Sequence, residues 1–224
     1  MSYLAGLLVA ALIAPQSAPP IFQPGAPGAP SRIITAGQAL ELARTSYTAE
    51  DVRFMQHMIV HHAQAVEMVG LLETHGSHAR VKLLGHRIAL SQEAEMELMR
   101  DWLDARGQST GMQDDHAGHA NMNHGGMDHS AHAGHAMAPS ETPLMPGMLS
   151  PAQMARLAAA RGGDFDRLFL TGMIQHHQGA IDMVSELMEH PDAARDTLLS
   201  DFTNSVVADQ STEILRMQSL LSDL

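Results

Sequence analysis

The chain of 224 residues contains no cysteine. This absence excludes disulfide bonds, thiolate zinc sites, iron–sulfur clusters, cysteine nucleophiles and copper centres that require a thiolate ligand. Aromatic residues make up only 4% of the sequence, and β-branched residues are also sparse, so a β-rich fold is not expected. The ligands left to such a chain are thioethers and imidazoles, and it contains 17 Met and 15 His.

Positive charge is also scarce. Lys and Arg total 13 against 25 Asp and Glu, which gives a formal net charge of -12. Nucleic acids and anionic lipid surfaces attract basic faces, so neither is an expected partner. An acidic surface is compatible with attraction of cations.

No apolar run is long enough to span a bilayer, which takes about 20 residues. The longest, Leu4 to Ala14, has the length of a signal-peptide core, although no Lys or Arg precedes it. We therefore predict a signal peptide at residues 1–18 and a periplasmic or otherwise extracytoplasmic protein. An uncleaved N-terminal membrane tether is the alternative. Residues 19–35 are rich in proline and are predicted to form a linker without regular structure.

An internal repeat dominates the rest of the sequence. The segment DVRFMQHMIVHHAQAVEMV from Asp51 matches DRLFLTGMIQHHQGAIDMV from Asp166 at an offset of 115. A second pair of segments matches more weakly at an offset of 118, where Glu95 corresponds to Glu213. Each repeat is predicted to be a helical hairpin, the first over residues 36–107 and the second over residues 149–224.

Helix-capping patterns support these hairpins. Thr48 followed by Asp51 resembles a capping box, and Ser150, Pro151 and Gln153 form a second helix start. His75-Gly76 is typical of a helix end. Two amphipathic hairpins bury their apolar faces most simply against each other, so the predicted fold is all-α, a four-helix bundle.

Residues 108–148 separate the two hairpins. This segment has no apolar periodicity, so it lacks the means to bury enough surface to order itself, and we predict a disordered linker. Its side chains suit a flexible metal collector; the candidate ligands are Met112, His116, His119, Met122, His124, Met127, His129, His132, His135 and Met137.

The paired histidines of each repeat lie on the face expected to point into the bundle. At 100° per residue, His61 and His62 fall about -60° and +40° from Met58, whereas Glu67 falls on the opposite side. Each buried imidazole without a partner would cost about 1–3 kcal/mol, and a bound metal would remove that cost. The alternative is that these histidines only pack the core. His57, whose counterpart is Gly172, is expected to face solvent; an accessory ligand is the alternative.

Ligand softness indicates the metal. Thioethers select copper(I) and silver(I), while imidazoles also suit copper(II), zinc and nickel. Copper(I) is the leading expectation, silver(I) or copper(II) would also fit, and a zinc or nickel store is an alternative. A third reading is an interaction module that binds no metal. The sequence contains no Glu-x-x-His motif, which di-iron bundles require, so an enzyme is not expected.

The motifs of the second repeat resemble those of the DUF305 family, which includes a periplasmic copper-binding protein. The matching residues are Met154, Leu157, Gly163, Phe165, Asp166, Phe169, Met173, Ile174, His176, His177, Gly179, Ala180 and Met183. The resemblance implies a ferritin-like four-helix fold, export, and binding of copper(I) or silver(I), with a copper-transfer protein as a candidate partner. By position, it implies these ligands: Met58, His61, His62, Met68, Met173, His176, His177 and Met183. The first repeat departs from the pattern, because Ala63-Gln64 replaces Gln178-Gly179.

Overall fold

The computed structural model describes residues 21–23, 30–43, 46–112 and 139–224. It divides into two compact units, Met1–Thr45 and Ser46–Leu224. The predicted signal peptide, residues 1–18, lies outside the described residues. None of the helices in the described part of the chain combines the length and apolar character needed to cross a membrane.

The described part of the first unit contains two short strands and one helix. Strand β1 (Ile21–Gln23) pairs antiparallel with β2 (Arg32–Ile34), and helix α1 covers Ala36–Ala43. We did not predict strands within the Pro-rich segment 19–35. They form at the apolar β-favouring residues on either side of the prolines, which lack the N–H that a strand ladder needs.

The described part of the second unit is mostly helical. Its helices are α2 (Ala49–His75), α3 (Ala79–Asp104), α4 (Pro151–Ala159), α5 (Gly162–Met188) and α6 (Thr197–Ser222). Helix α2 packs against α3, α5 packs against α6, and α2 and α5 pack against each other. The prediction of a mostly helical protein is confirmed, and each repeat contributes one pair of long helices.

The predicted helix starts are present. The Thr48 side chain accepts a hydrogen bond from the Asp51 N–H, while the Asp51 carboxylate accepts one from the Thr48 N–H. Ser150 and Gln153 form the same reciprocal pair before α4. Helix α2 ends at His75, as the sequence indicates. These caps satisfy backbone N–H groups that have no partner within the helix.

The aspartate that begins each repeat bonds the loop of the other repeat. Asp51 accepts a hydrogen bond from the Ala194 N–H (2.8 Å), which lies in the loop between α5 and α6. Asp166 accepts bonds from the Ser77 N–H and hydroxyl and from the His78 N–H, in the loop between α2 and α3. Both carboxylates are buried, so these contacts cross-link the two hairpins at opposite ends.

The last part of the predicted linker packs against the helices. Met145 and Met148 are buried, and the Gln175 side chain donates to the carbonyls of Gly147 and Met148 at 3.2 Å. The lack of apolar periodicity in residues 108–148 did not predict this packing, because isolated methionines and backbone carbonyls leave no periodic signal. Residues 113–138 lie outside the described part of the chain.

Candidate metal centre

Helices α2 and α5 bring the four paired histidines into the interior. His61, His62, His176 and His177 each have 0% exposure, whereas Glu67 on the far side of α2 is exposed. The inward direction predicted from helical rotation is therefore correct. It follows from the apolar residues that share the stripe, such as Met58 and Ala65, because they must be buried against α5.

The first histidine of each pair meets its counterpart where α2 and α5 pack together. The ring centroids of His61 and His176 are 3.8 Å apart. His176 Nε2 bonds the backbone carbonyl of His61 at 2.8 Å, and His61 Nε2 bonds the carbonyl of Pro146 at 3.0 Å. A carbonyl can only accept, so both rings carry a proton on Nε2. In the neutral ring, Nδ1 then holds an unshared electron pair.

The second histidine of each pair bonds a glutamate of its own hairpin. His62 Nε2 lies 2.6 Å from Glu95 Oε2 on α3, and His177 Nε2 lies 2.7 Å from Glu213 Oε2 on α6. Each glutamate side chain is 17% exposed, so the pairs lie between the core and the surface. The carboxylates accept the Nε2–H bonds and orient both rings in the same way as the carbonyls do.

All four Nδ1 atoms are buried and have no hydrogen-bond partner. Leaving a buried polar atom unpaired costs about 1–3 kcal/mol, and this cost recurs at all four positions. A neutral imidazole binds a metal through the lone pair of its unprotonated ring nitrogen, which in these rings is Nδ1. Histidine ligands in metal sites usually donate the other ring N–H to a carboxylate or carbonyl, as all four rings do here.

The two central histidines resist protonation. Burial lowers the pKa of His61 to about 3; the charge of a protonated His62 acts in the same direction, and the Pro146 carbonyl opposes it. Burial, followed by the charges of the neighbouring histidines, holds the pKa of His176 well below its usual value. Both rings are therefore neutral at pH 7, which is the form that binds metals.

The predicted methionine ligands flank the histidines on both sides. Met58 and Met183 belong to one hydrophobic cluster of the core, and Met68 and Met173 belong to the other. Each cluster thus takes one of these methionines from α2 and one from α5. All four are buried, which is also the ordinary environment of a methionine that packs the core.

Within residues 21–23, 30–43, 46–112 and 139–224, no three His, Asp or Glu side chains are arranged to hold a metal ion. Of the predicted linker ligands, Met112 is half-buried against the core. The others lie outside the described residues: His116, His119, Met122, His124, Met127, His129, His132, His135 and Met137.

Where the two repeats differ, the docked segment 146–149 contacts them. At Gly179, a side-chain Cβ would overlap the carbonyl oxygen of Pro146 and the backbone of Gly147, so only glycine admits this close approach. Its counterpart Gln64 instead bonds both the N–H (2.7 Å) and the carbonyl (2.9 Å) of Leu149. The departure from the repeat pattern therefore positions the Pro146 carbonyl that His61 bonds.

Sequence reasoning missed Glu95, Glu213 and the Pro146 carbonyl as partners of the histidines. A signal for the glutamates was present, because Glu95 and Glu213 occupy equivalent positions in the two repeats. A glutamate on an amphipathic helix is ordinarily solvated, so the match by itself indicated no role. The Pro146 contact joins residues far apart in the chain and had no such signal.

Comparison with known proteins relates this arrangement to a family. A DUF305 crystal structure from Deinococcus radiodurans superposes with a TM-score of 0.60 at 28% identity, covering 80% of this chain and 99% of that one. A predicted secreted DUF305 protein from Streptomyces coelicolor gives 0.59 at 24% identity, covering 79% and 94%. CopM in its Cu(II)-bound form gives 0.53 at 25% identity, covering 77% and 96%.

No curated protein sequence matches the chain. The model of the family described as "Domain of unknown function (DUF305)" matches residues 51–221, which include most of both repeats and all four buried histidines. This range covers most of the chain, and it confirms the resemblance carried by the repeated Met-Ile-x-His-His motifs. The chain belongs to the DUF305 family.

Proposed function

We propose that this protein binds copper(I) or silver(I) outside the cytoplasm and sequesters or carries the ion, without acting as an enzyme. The observation that carries the proposal is the set of four buried imidazoles whose Nε2 atoms are all bonded and whose Nδ1 atoms are all unpartnered. We propose that α2, α3, α5 and α6 hold this set as a ferritin-like four-helix bundle.

The hydrogen bonds support binding through Nδ1. Proteins rarely bury a polar atom without a partner, and one such atom in a core has little meaning. Here the same atom is left unpartnered at four equivalent positions, while Glu95, Glu213 and two carbonyls hold the opposite nitrogens. A metal ion would use these lone pairs and would recover the cost of burying them.

The neighbouring thioethers favour a soft monovalent ion. Met58 and Met183 lie in one adjoining cluster, and Met68 and Met173 lie in the other; the thioether is the ligand that distinguishes copper(I) and silver(I) from zinc. The likeness to CopM, solved with Cu(II) bound, supports a copper-related cargo.

The proposal also includes export of the protein and delivery of metal ions to the buried histidines. The apolar segment Leu4 to Ala14 would direct export. The Met- and His-rich residues of 108–148 would collect ions by loose multidentate binding, which needs no fixed geometry. The buried histidines would then hold them in a defined site.

The test is competition for copper(I) against a chromophoric chelator under reducing conditions. Wild-type protein is compared with a variant in which His61, His62, His176 and His177 are replaced by Gln, and with His86→Gln as a control at an exposed position on α3. We expect the quadruple variant to lose the tightly held copper while the control keeps it. Circular dichroism checks that the variants remain helical.

Two results would contradict the proposal. Undiminished copper(I) binding by a folded quadruple variant would leave the histidines as packing residues and would assign the copper ligands to other residues of the chain. Binding of zinc or nickel in preference to copper(I), and unaffected by replacing the core methionines with Leu, would favour a store for those metals instead.

A further inference from the structure

A cleft of about 200 Å³ lies between the start of α2 and the end of α5, and the docked linker segment closes one side of it. Two thioethers, from Met145 and Met183, and two imidazoles, from His57 and His190, line this cleft. None of these except Met183 belongs to the set of ligands that the repeats predict. His57 is half-buried.

The side chains of the cleft combine soft ligands with negative charge. Thioether sulfur selects copper(I) and silver(I), and imidazole nitrogen completes a coordination shell for either ion. Glu50 and Glu186 also line the cleft, against one positive side chain, Arg53, which leaves an excess of one negative charge. A monovalent soft cation matches both the ligands and the charge.

Packing alone accounts for part of this arrangement. Met145 and Met183 are buried and contribute to the core cluster beside the cleft, which is an ordinary use of methionine. Packing does not explain why two imidazoles line the same open cavity. It also does not explain why Met145, a linker methionine with no counterpart in the repeats, lines that cavity.

The cleft adjoins the buried histidines. Pro146 forms part of its wall, and the carbonyl of the same residue accepts the hydrogen bond from His61 Nε2 at 3.0 Å. The chain therefore runs from the predicted collector into the wall of the cleft and then to the ring of His61.

We propose that this cleft is a separate outer binding site for copper(I) or silver(I), formed by Met145, Met183, His57 and His190. Binding in the cleft is independent of the buried histidines. Passage of the ion from the cleft to His61 and His176 rests on the function proposed above. The outer site gives the ion a soft ligand set at the surface end of the bundle.

The test uses silver(I), which is monovalent and does not oxidise, added to the full-length protein. Methionines labelled with ¹³C at the methyl group report thioether binding by NMR, and histidine ring signals report the buried site separately. We expect the Met145 methyl signal to shift as silver(I) is added. We expect the double variant Met145→Leu, His190→Gln to bind one equivalent of silver(I) less than wild type.

The matched control is Met188→Leu with His86→Gln, which alters an exposed methionine of α5 and an exposed histidine of α3 outside the cleft. This control should bind as much silver(I) as wild type. A Met145 signal that stays unchanged at saturation, or an equal loss in the control, would overturn the proposal. The NMR measurement on wild-type protein decides the matter even if the double variant fails to fold.

The two proposals fail in different ways. If the Met145 methyl shifts while the rings of His61 and His176 do not respond, the outer site stands and the buried site is wrong. If the rings respond and Met145 does not, the buried site stands and the outer site is wrong.

Discussion

The burial of His61 and His176 predicts that the metal-free protein loses stability in mild acid. Burial lowers the pKa of His61 to about 3 and that of His176 well below its usual value, whereas an unfolded histidine titrates near 6.5. Below pH 6.5, His61 and His176 therefore bind protons in the unfolded chain but remain neutral in the folded chain. The two histidines make their full contribution to the free energy of unfolding above pH 6.5. This contribution is lost as the pH falls from 6.5 towards 3.

The magnitude follows from the unfolded state. At pH 5 an unfolded histidine is almost fully protonated, which stabilises the unfolded chain by about 2 kcal/mol for each buried neutral histidine. Two such residues give a loss of about 4 kcal/mol between pH 7 and pH 5. With a slope of about 2–3 kcal/mol per molar urea, the urea midpoint falls by about 1.3–2 M.

The assay is urea unfolding of metal-free protein at pH 7, 6 and 5, followed by circular dichroism. The variant His61→Gln, His176→Gln isolates the effect, because it lacks the two ionisable rings and keeps every other titrating group. We expect it to lose about 4 kcal/mol less than wild type over the same range. The reasoning is refuted if wild type loses under about 1 kcal/mol, or if the variant loses as much as wild type.

Two further predictions concern the residues that hold the histidines. Replacing Glu95 and Glu213 with Gln should weaken copper(I) binding about 10–100-fold, as measured by chelator competition. The control Glu97→Gln, at an exposed position on the same helix as Glu95, should leave the copper(I) affinity unchanged. Equal affinity in wild type and both variants would contradict the role assigned to Glu95 and Glu213. Gly179→Ala should destabilise the protein by about 1–3 kcal/mol in urea unfolding because the added methyl group meets Pro146 and Gly147. Gly70→Ala, which adds a methyl group in open space on α2, should instead stabilise it by about 0.5–1 kcal/mol; a Gly179→Ala variant as stable as wild type would show that the docked segment yields easily.

The helices and the inward histidines were predictable because their signals are local. Thr48 with Asp51, and Ser150 with Gln153, form capping boxes whose two members lie three residues apart. The direction of His61 and His62 follows from helix rotation and from the apolar residues on the same stripe. Duplication of these features in a second segment reduced the chance of coincidence.

The partners of the histidines depended on tertiary packing and were not predictable. The bond from His61 to the Pro146 carbonyl joins a helix to a segment whose polar composition indicated a free linker. Gly179 is helical, so its sequence context did not show that another backbone approaches it; the close contact is visible only when Gly147 is in place. Strands β1 and β2 were missed because the prolines between them dominated the composition.

The crossed bonds of Asp51 and Asp166 have a consequence for the history of the chain. Each aspartate bonds loop amides of the opposite hairpin, so a hairpin produced alone would leave its own loop amides without this acceptor. A second copy of the same hairpin would supply it through an equivalent carboxylate, in a two-fold symmetric pair in which each copy gives what the other needs. The chain is then most simply described as a fused homodimer. The two halves, expressed as separate chains, should associate with each other.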